Sequence, residues 1–172
     1  MQNLCSAKKE IVTAEFGVWR GHHSILMNEV AHQKGVKIHH HIFDSFEGLS
    51  SPEQIDGSKN SGVKFSMSPK IENIRSLLPS AYLHQGWIPD DMPKDFNDKF
   101  DLVHIDVDLY SPIKGSLDWV KTRMNKNSII IVDDYDERWP GSVKAIDEFM
   151  LENKDNFHGI DTLNGNFLIF TL

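Results

Sequence analysis

"KFDLVHIDVDLYSP", residues 99–112, and "SIIIVDDYDE", residues 128–137, decide how this chain is read. Each begins as a short apolar run and ends in carboxylates. Short apolar runs bounded by turn formers fit strands buried on both faces, which a parallel sheet covered by helices requires. Asp106 and Asp108 close the first run; Asp133 and Asp134 close the second. Unpaired buried charge is costly. Acids gathered at the ends of core strands therefore need a metal ion, a basic side chain or water to neutralise them.

Working outward, the same grammar repeats. "EIVTAEF" (10–16) reads as a strand, Gly17 and Gly21 punctuate it, and an amphipathic helix runs to about Lys34, stopped by Gly35. "VKIHHHIF" (36–43) is a second strand ending at Asp44. Residues 50–68, rich in Ser, Gly and Lys, read as a long loop. "SPKIENIRSLL" (68–78) is a helix with Ser68 as its cap, Pro69 in its first turn and Ile71, Ile74, Leu77 and Leu78 on one face. "AYLHQGW" (81–87) is a weaker third strand. Ile113, Leu117, Val120 and Met124 recur as a helix stripe, and Val143, Ile146, Phe149 and Met150 mark another. "FHGIDTLNGNFLIFTL" (157–172) is two β-runs around Asn164-Gly165, a strong hairpin signal. The sum is βαβαβαβαβα followed by a hairpin. That predicts an α/β chain with a Rossmann-like, doubly wound, mostly parallel sheet of about seven strands and a C-terminal antiparallel hairpin.

Bulk properties set limits. With 172 residues the chain fits one domain, 1–172. A formal charge of −7 argues against a nucleic-acid or anionic-membrane partner. The single Cys5 rules out an intrachain disulfide framework, and no apolar run approaches a membrane span. A cytoplasmic location is the expectation.

In open α/β sheets ligands sit beyond the carboxyl ends of the strands. Those ends carry Glu15 with Phe16-Gly17-Val18-Trp19, then Asp44-Ser45, Gln85-Gly86, Asp106 with Asp108, and Asp133-Asp134. The first turn has neither the dinucleotide glycine spacing nor a P-loop lysine. Its glycines still let backbone approach a ligand at a helix N-terminus. Asp44 is placed to accept both hydroxyls of a ribose, or to cap a loop. Glu15, inside an apolar strand, should accept from loop N–H groups or from a cationic ligand. Asp106, Asp133 and Asp134 converging on one point would either hold protons or share a cation, and hard oxygen donors suit Mg²⁺. For Asp108 and Asp136, capping of the following helices is the competing explanation. "HHH" at 39–41 cannot converge on an ion, because successive strand side chains alternate faces. His22 and His23 open the first helix. Tyr135 and Trp139 are candidates for a substrate wall or for plain loop aromatics.

"AEFGVWRG" (14–21), "FDSFEG" (43–48), "QGWIPDDMP" (85–93), "VHIDVDLYSP" (103–112) and "IIIVDDYDERWPGSVKAIDEF" (129–149) together resemble the macrocin O-methyltransferase family. The resemblance implies a class I enzyme dependent on S-adenosylmethionine and Mg²⁺ that methylates hydroxyls of antibiotic sugars and related small molecules. It implies that Glu15, Phe16, Gly17, Val18 and Trp19 lie under the methionine part of the cofactor. Asp44 and Ser45 would hold the ribose, and Gln85 and Gly86 would bound the adenine. Asp106, Asp133 and Asp134 would be the metal ligands, with Asp106 also the base. Family members usually carry a long N-terminal lid segment, whereas about nine residues precede the first strand here. A homodimer supplying that cover is one expectation. Two rival readings stay open: a partner-dependent or non-catalytic S-adenosylmethionine-binding protein, and a nicotinamide-dependent oxidoreductase using Glu15 and Asp44.

Overall fold

The computed structural model describes residues 8–57 and 70–172. Cys5, Ser68 and Pro69 lie outside them, as does most of the loop expected over 50–68. The strands are β1 (Glu10–Phe16), β2 (Lys37–Asp44), β3 (Tyr82–Gln85), β4 (Phe100–Ile105), β5 (Met124–Val132), β6 (Phe157–Asp161) and β7 (Phe167–Thr171). The helices are α1 (His22–Gln33), α2 (Ile71–Leu77), α3 (Tyr110–Val120) and α4 (Pro140–Glu152), with a 3₁₀ turn at Gln54–Asp56. All seven strands form one sheet in the order β3-β2-β1-β4-β5-β7-β6. β1 to β5 are parallel; β7 runs antiparallel beside β5, and β6 antiparallel beside β7. The chain reverses its strand order at β1 and β4, so the rim above those two strands is where a ligand is expected.

Alternation along the strands assigns the two faces. Phe16 and Phe43 stack at 4.7 Å and meet Trp119 of α3, whereas Glu15 turns to Ser24 of α1 and Ile42 packs with Ile74 of α2. The larger core lies on the α3–α4 side and includes Phe16, Phe100, Ile113, Leu117, Ile146 and Phe149. Burying each such side chain contributes about 1.5–3 kcal/mol.

Three local expectations change. No helix joins β3 to β4. Pro89 and Pro93 withhold N–H donors, Asp91 ties the turn by accepting from the Trp87 N–H at 2.8 Å, and Phe96 packs against the core. Met124 is not on the helix stripe. α3 ends at Val120, the Arg123 N–H closes the turn on the Val120 carbonyl at 2.7 Å, and Met124 starts β5 opposite Phe100. The hairpin loop spans 162–166, longer than the Asn164-Gly165 pair alone. It is closed by the Thr162 N–H on the Asn166 carbonyl at 3.1 Å, with left-handed φ at Leu163 and Gly165.

Candidate active site

Backbone hydrogen bonds knit the rim above β1 and β4. The Gly17 N–H donates to the Phe43 carbonyl at 2.9 Å, Asp106 N–H to Phe16 at 2.8 Å, and Asp133 N–H to Ile105 at 2.9 Å. Gly17 has φ +80°, and a Cβ there would lie 1.9 Å from the Asp106 carbonyl oxygen. Only glycine lets the two turns approach this closely.

A cavity of about 330 Å³ opens over this seam. Gly17, Trp19, Asp44 and Ser45 line one end, Asp106, Asp108 and Asp134 the other, with Trp87, Leu49 and Trp139 among its walls. Four carboxylate side chains face it, and no Lys, Arg or His does among the described residues.

The expected cofactor residues divide by orientation. Gly17, Trp19, Asp44 and Ser45 line the cavity. Asp44 accepts the Val18 and Phe46 N–H groups, each at 2.7 Å, one on each carboxylate oxygen, and burial pushes its carboxyl above the usual range. Each oxygen keeps a lone pair for a ligand. Ser45 Oγ donates to the Gly48 carbonyl and accepts from the Glu47 N–H, both at 3.0 Å, and so shapes the next loop. Phe16 and Val18 are core residues that anchor the turn. Gln85 and Gly86 stand at the end of β3 but do not line the cavity; Trp87 and Ile88, one step on, do. Of the two aromatics after β5, Trp139 lines the cavity, while Tyr135 packs on Phe167 at 4.6 Å and donates its hydroxyl to Asp147. Arg20 lies over the Trp19 ring at 4.6 Å.

Among the acids, one carboxylate oxygen from each of Asp106, Asp108 and Asp134 lies within 4.8 Å of the others. Asp133 is not part of that trio; its Oδ1 accepts the Asp134 N–H at 2.9 Å. All four acids lie past the last residues of β4 and β5, so the local turn conformation rather than strand alternation aims them. Left-handed φ at Asp108 (60°) and Asp134 (62°) completes the convergence. Burial first, and the neighbouring carboxylates after it, push all three carboxyls up. Such a cluster is what a divalent cation relieves, and three hard oxygen donors match Mg²⁺.

Sequence reading did not foresee a second group on the α1 face. Glu15 is 1% exposed, with His23 Nδ1 at 3.6 Å and His104 Nδ1 at 3.5 Å from its Oε1. Ser24 Oγ donates to the other carboxylate oxygen, and His40 and Thr13 extend the chain at 2.7 Å each. Burial would raise the Glu15 carboxyl, but His104, His23 and Ser24 hold it down at about 2. The signal was present in part: Glu15 and His104 become cross-strand partners once β1 and β4 are paired.

The sheet order, with its antiparallel seventh strand, and the acid-rimmed cavity at the switch point define a class I methyltransferase fold. The O-methyltransferase NovP superposes with a TM-score of 0.82 at 21% identity, covering 94% of this chain and 72% of that one. The calicheamicin methyltransferase CalS11 gives 0.79 at 17% identity, covering 98% of this chain and 74% of that one. The profile of the macrocin O-methyltransferase (TylF) family matches residues 8–164, and the chain belongs to that family. A curated relative is the 8-demethyl-8-(2,3-dimethoxy-alpha-L-rhamnosyl)-tetracenomycin-C 4'-O-methyltransferase of Streptomyces olivaceus. It is 26% identical over 137 residues, covering 70% of this chain and 51% of the relative. The chain thus spans about half the length of that relative. No helix among the described residues is long and apolar enough to cross a membrane.

Proposed function

We propose that this protein is an S-adenosylmethionine-dependent, Mg²⁺-assisted O-methyltransferase acting on a hydroxyl of a small molecule, a sugar or a sugar-bearing natural product. One observation carries the reading: the cavity presents four carboxylates and no basic side chain among the described residues. Such a lining favours cationic ligands, a sulfonium and a divalent ion, and disfavours the pyrophosphate of a nicotinamide dinucleotide. Family membership supports the same reaction, and the rhamnosyl group in the name of the Streptomyces relative supports a sugar hydroxyl as acceptor.

When bound, the donor supplies an electrophilic methyl group and the cation supplies Lewis acidity to a substrate oxygen. Gly17 offers bare backbone to the donor, and Asp44 offers both carboxylate oxygens to its ribose. Asp106, Asp108 and Asp134 offer three oxygens to the ion, with Asp133 bracing the Asp134 backbone. Acidification of the acceptor hydroxyl by the cation would come first, and Asp106, beside it, would receive the proton directly or through water. Trp87 and Trp139 exclude water from a step in which charge is cancelled, so a low-dielectric wall favours it.

Thermal shift tests this. S-adenosylhomocysteine at 100 times its dissociation constant should stabilise the protein by about 2.7 kcal/mol, with a further increment from Mg²⁺. Asp134→Asn should lose the Mg²⁺ increment and keep the first. Stabilisation by NAD alone would overturn the proposal.

A further inference from the structure

The cluster of Glu15, His23 and His104 lies on the α1 face of the sheet, and none of the three lines the cavity. We infer that these residues form a second cation site, selective for a borderline divalent ion such as Zn²⁺ or Co²⁺. The inference is independent of the methyl-transfer reading.

Donor type comes first. Two imidazole nitrogens and one carboxylate oxygen suit Zn²⁺ and its neighbours rather than Mg²⁺, which prefers oxygen alone. Spacing agrees. Donors about 2.0–2.2 Å from a tetrahedral ion stand about 3.3–3.6 Å from one another. Glu15 Oε1 is 3.6 Å from His23 Nδ1 and 3.5 Å from His104 Nδ1. One ligand atom from each of the three residues falls within 4.8 Å of the others.

A separate observation points to a missing ligand. The His104 side chain is 7% exposed, and its buried Nδ1 meets Glu15 Oε1 at 3.5 Å without forming a hydrogen bond to it or to any other described group. Buried polar atoms are nearly always paired, and an exception needs a reason. This atom meets Glu15, the only carboxylate it contacts among the described residues, and a shared ion would satisfy both. The surroundings are arranged as metal sites usually are. Glu15 is oriented from behind by Ser24, which His40 holds at 2.7 Å, and Thr13 holds His40 in turn. His23 is half-exposed, which leaves a path from solvent and a fourth position for water.

Cobalt titration distinguishes the two sites. Protein stripped with EDTA is saturated with Mg²⁺ to fill the aspartate trio, then titrated with Co²⁺ while visible absorption is followed. One equivalent should bind with the intense bands of a tetrahedral ion, and Zn²⁺ should displace it. His23→Ala, at a half-exposed position, should weaken Co²⁺ by about tenfold or more, the loss seen even for outer partners of metal ligands. His104→Gln should do the same; if it fails to fold, His23→Ala alone decides. Asp134→Asn should leave the cobalt spectrum and affinity unchanged. Absence of a tetrahedral cobalt spectrum overturns the inference. So does cobalt binding that Asp134→Asn weakens and His23→Ala does not.

Discussion

Asp101 and Asp106 bracket a single strand. Asp101, at the start of β4, is 3% exposed and fully engaged: it pairs with Lys8 and accepts from the Val12 N–H at 3.0 Å and from Asn125 Nδ2 at 2.7 Å. Asp106, just past the end of the same strand, receives no hydrogen bond to its carboxylate from the described residues, and burial with like charges pushes it up. One strand thus carries a finished carboxylate at one end and an unfinished one at the other. The protein can complete an ion pair when stability is the object. Where it leaves acids facing one another, the missing partner comes from outside.

Four measurements break or sharpen that contrast. Asp101→Ala strands the Val12 N–H and the Asn125 amide and unpairs Lys8. It should cost about 3 kcal/mol in urea unfolding, while binding of S-adenosylhomocysteine persists. Asp106→Asn should do the reverse: turnover falls about 100-fold, and the melting temperature of the metal-free protein holds or rises because a buried like charge is gone. A loss of stability as large as that of Asp101→Ala would erase the distinction.

A buried base extends the comparison. His41 on β2 has Nδ1 3.0 Å from His84 and Nε2 3.3 Å from Asp98, and burial pulls it down to about 4. Its folded value lies below the unfolded one of about 6.5. Stability from keeping it neutral is therefore present above pH 6.5 and is lost as pH falls towards 4. His41→Gln should flatten that acid limb by on the order of 2 kcal/mol, read as the variant-minus-parent difference in unfolding free energy across pH 4–7. The smallest effect belongs to Asp56, whose carboxylate accepts the Tyr110 N–H at 2.8 Å and the Glu53 N–H at 2.7 Å, tying the cavity loop to α3. Asp56→Asn should cost about 1 kcal/mol and raise the acceptor KM more than it lowers kcat.

Periodicity and turn residues were enough to read the sheet, because both-face apolar runs such as 129–132 and glycines such as Gly17 act locally. Side-chain convergence was not local. Asp106 and Asp134 are foreseeable as acids after strands, but the approach of Asp108 to both of them rests on two left-handed backbone angles. His104 meets Glu15 through the pairing of β1 with β4, and His23 reaches it from α1, a contact that sequence spacing does not encode. The missing β3–β4 helix follows from Pro89 and Pro93, which break any helical run over 86–99.

Gly17 and the Asp106 carbonyl leave no room between them even for a methyl carbon. Two turns locked main chain to main chain cannot slide relative to each other without unravelling the sheet. The gap from the Gly17 end of the cavity to the acid cluster is therefore a fixed dimension of the scaffold. Any change in the cavity's width has to come from the outlying segments at 48–50 and 87–88.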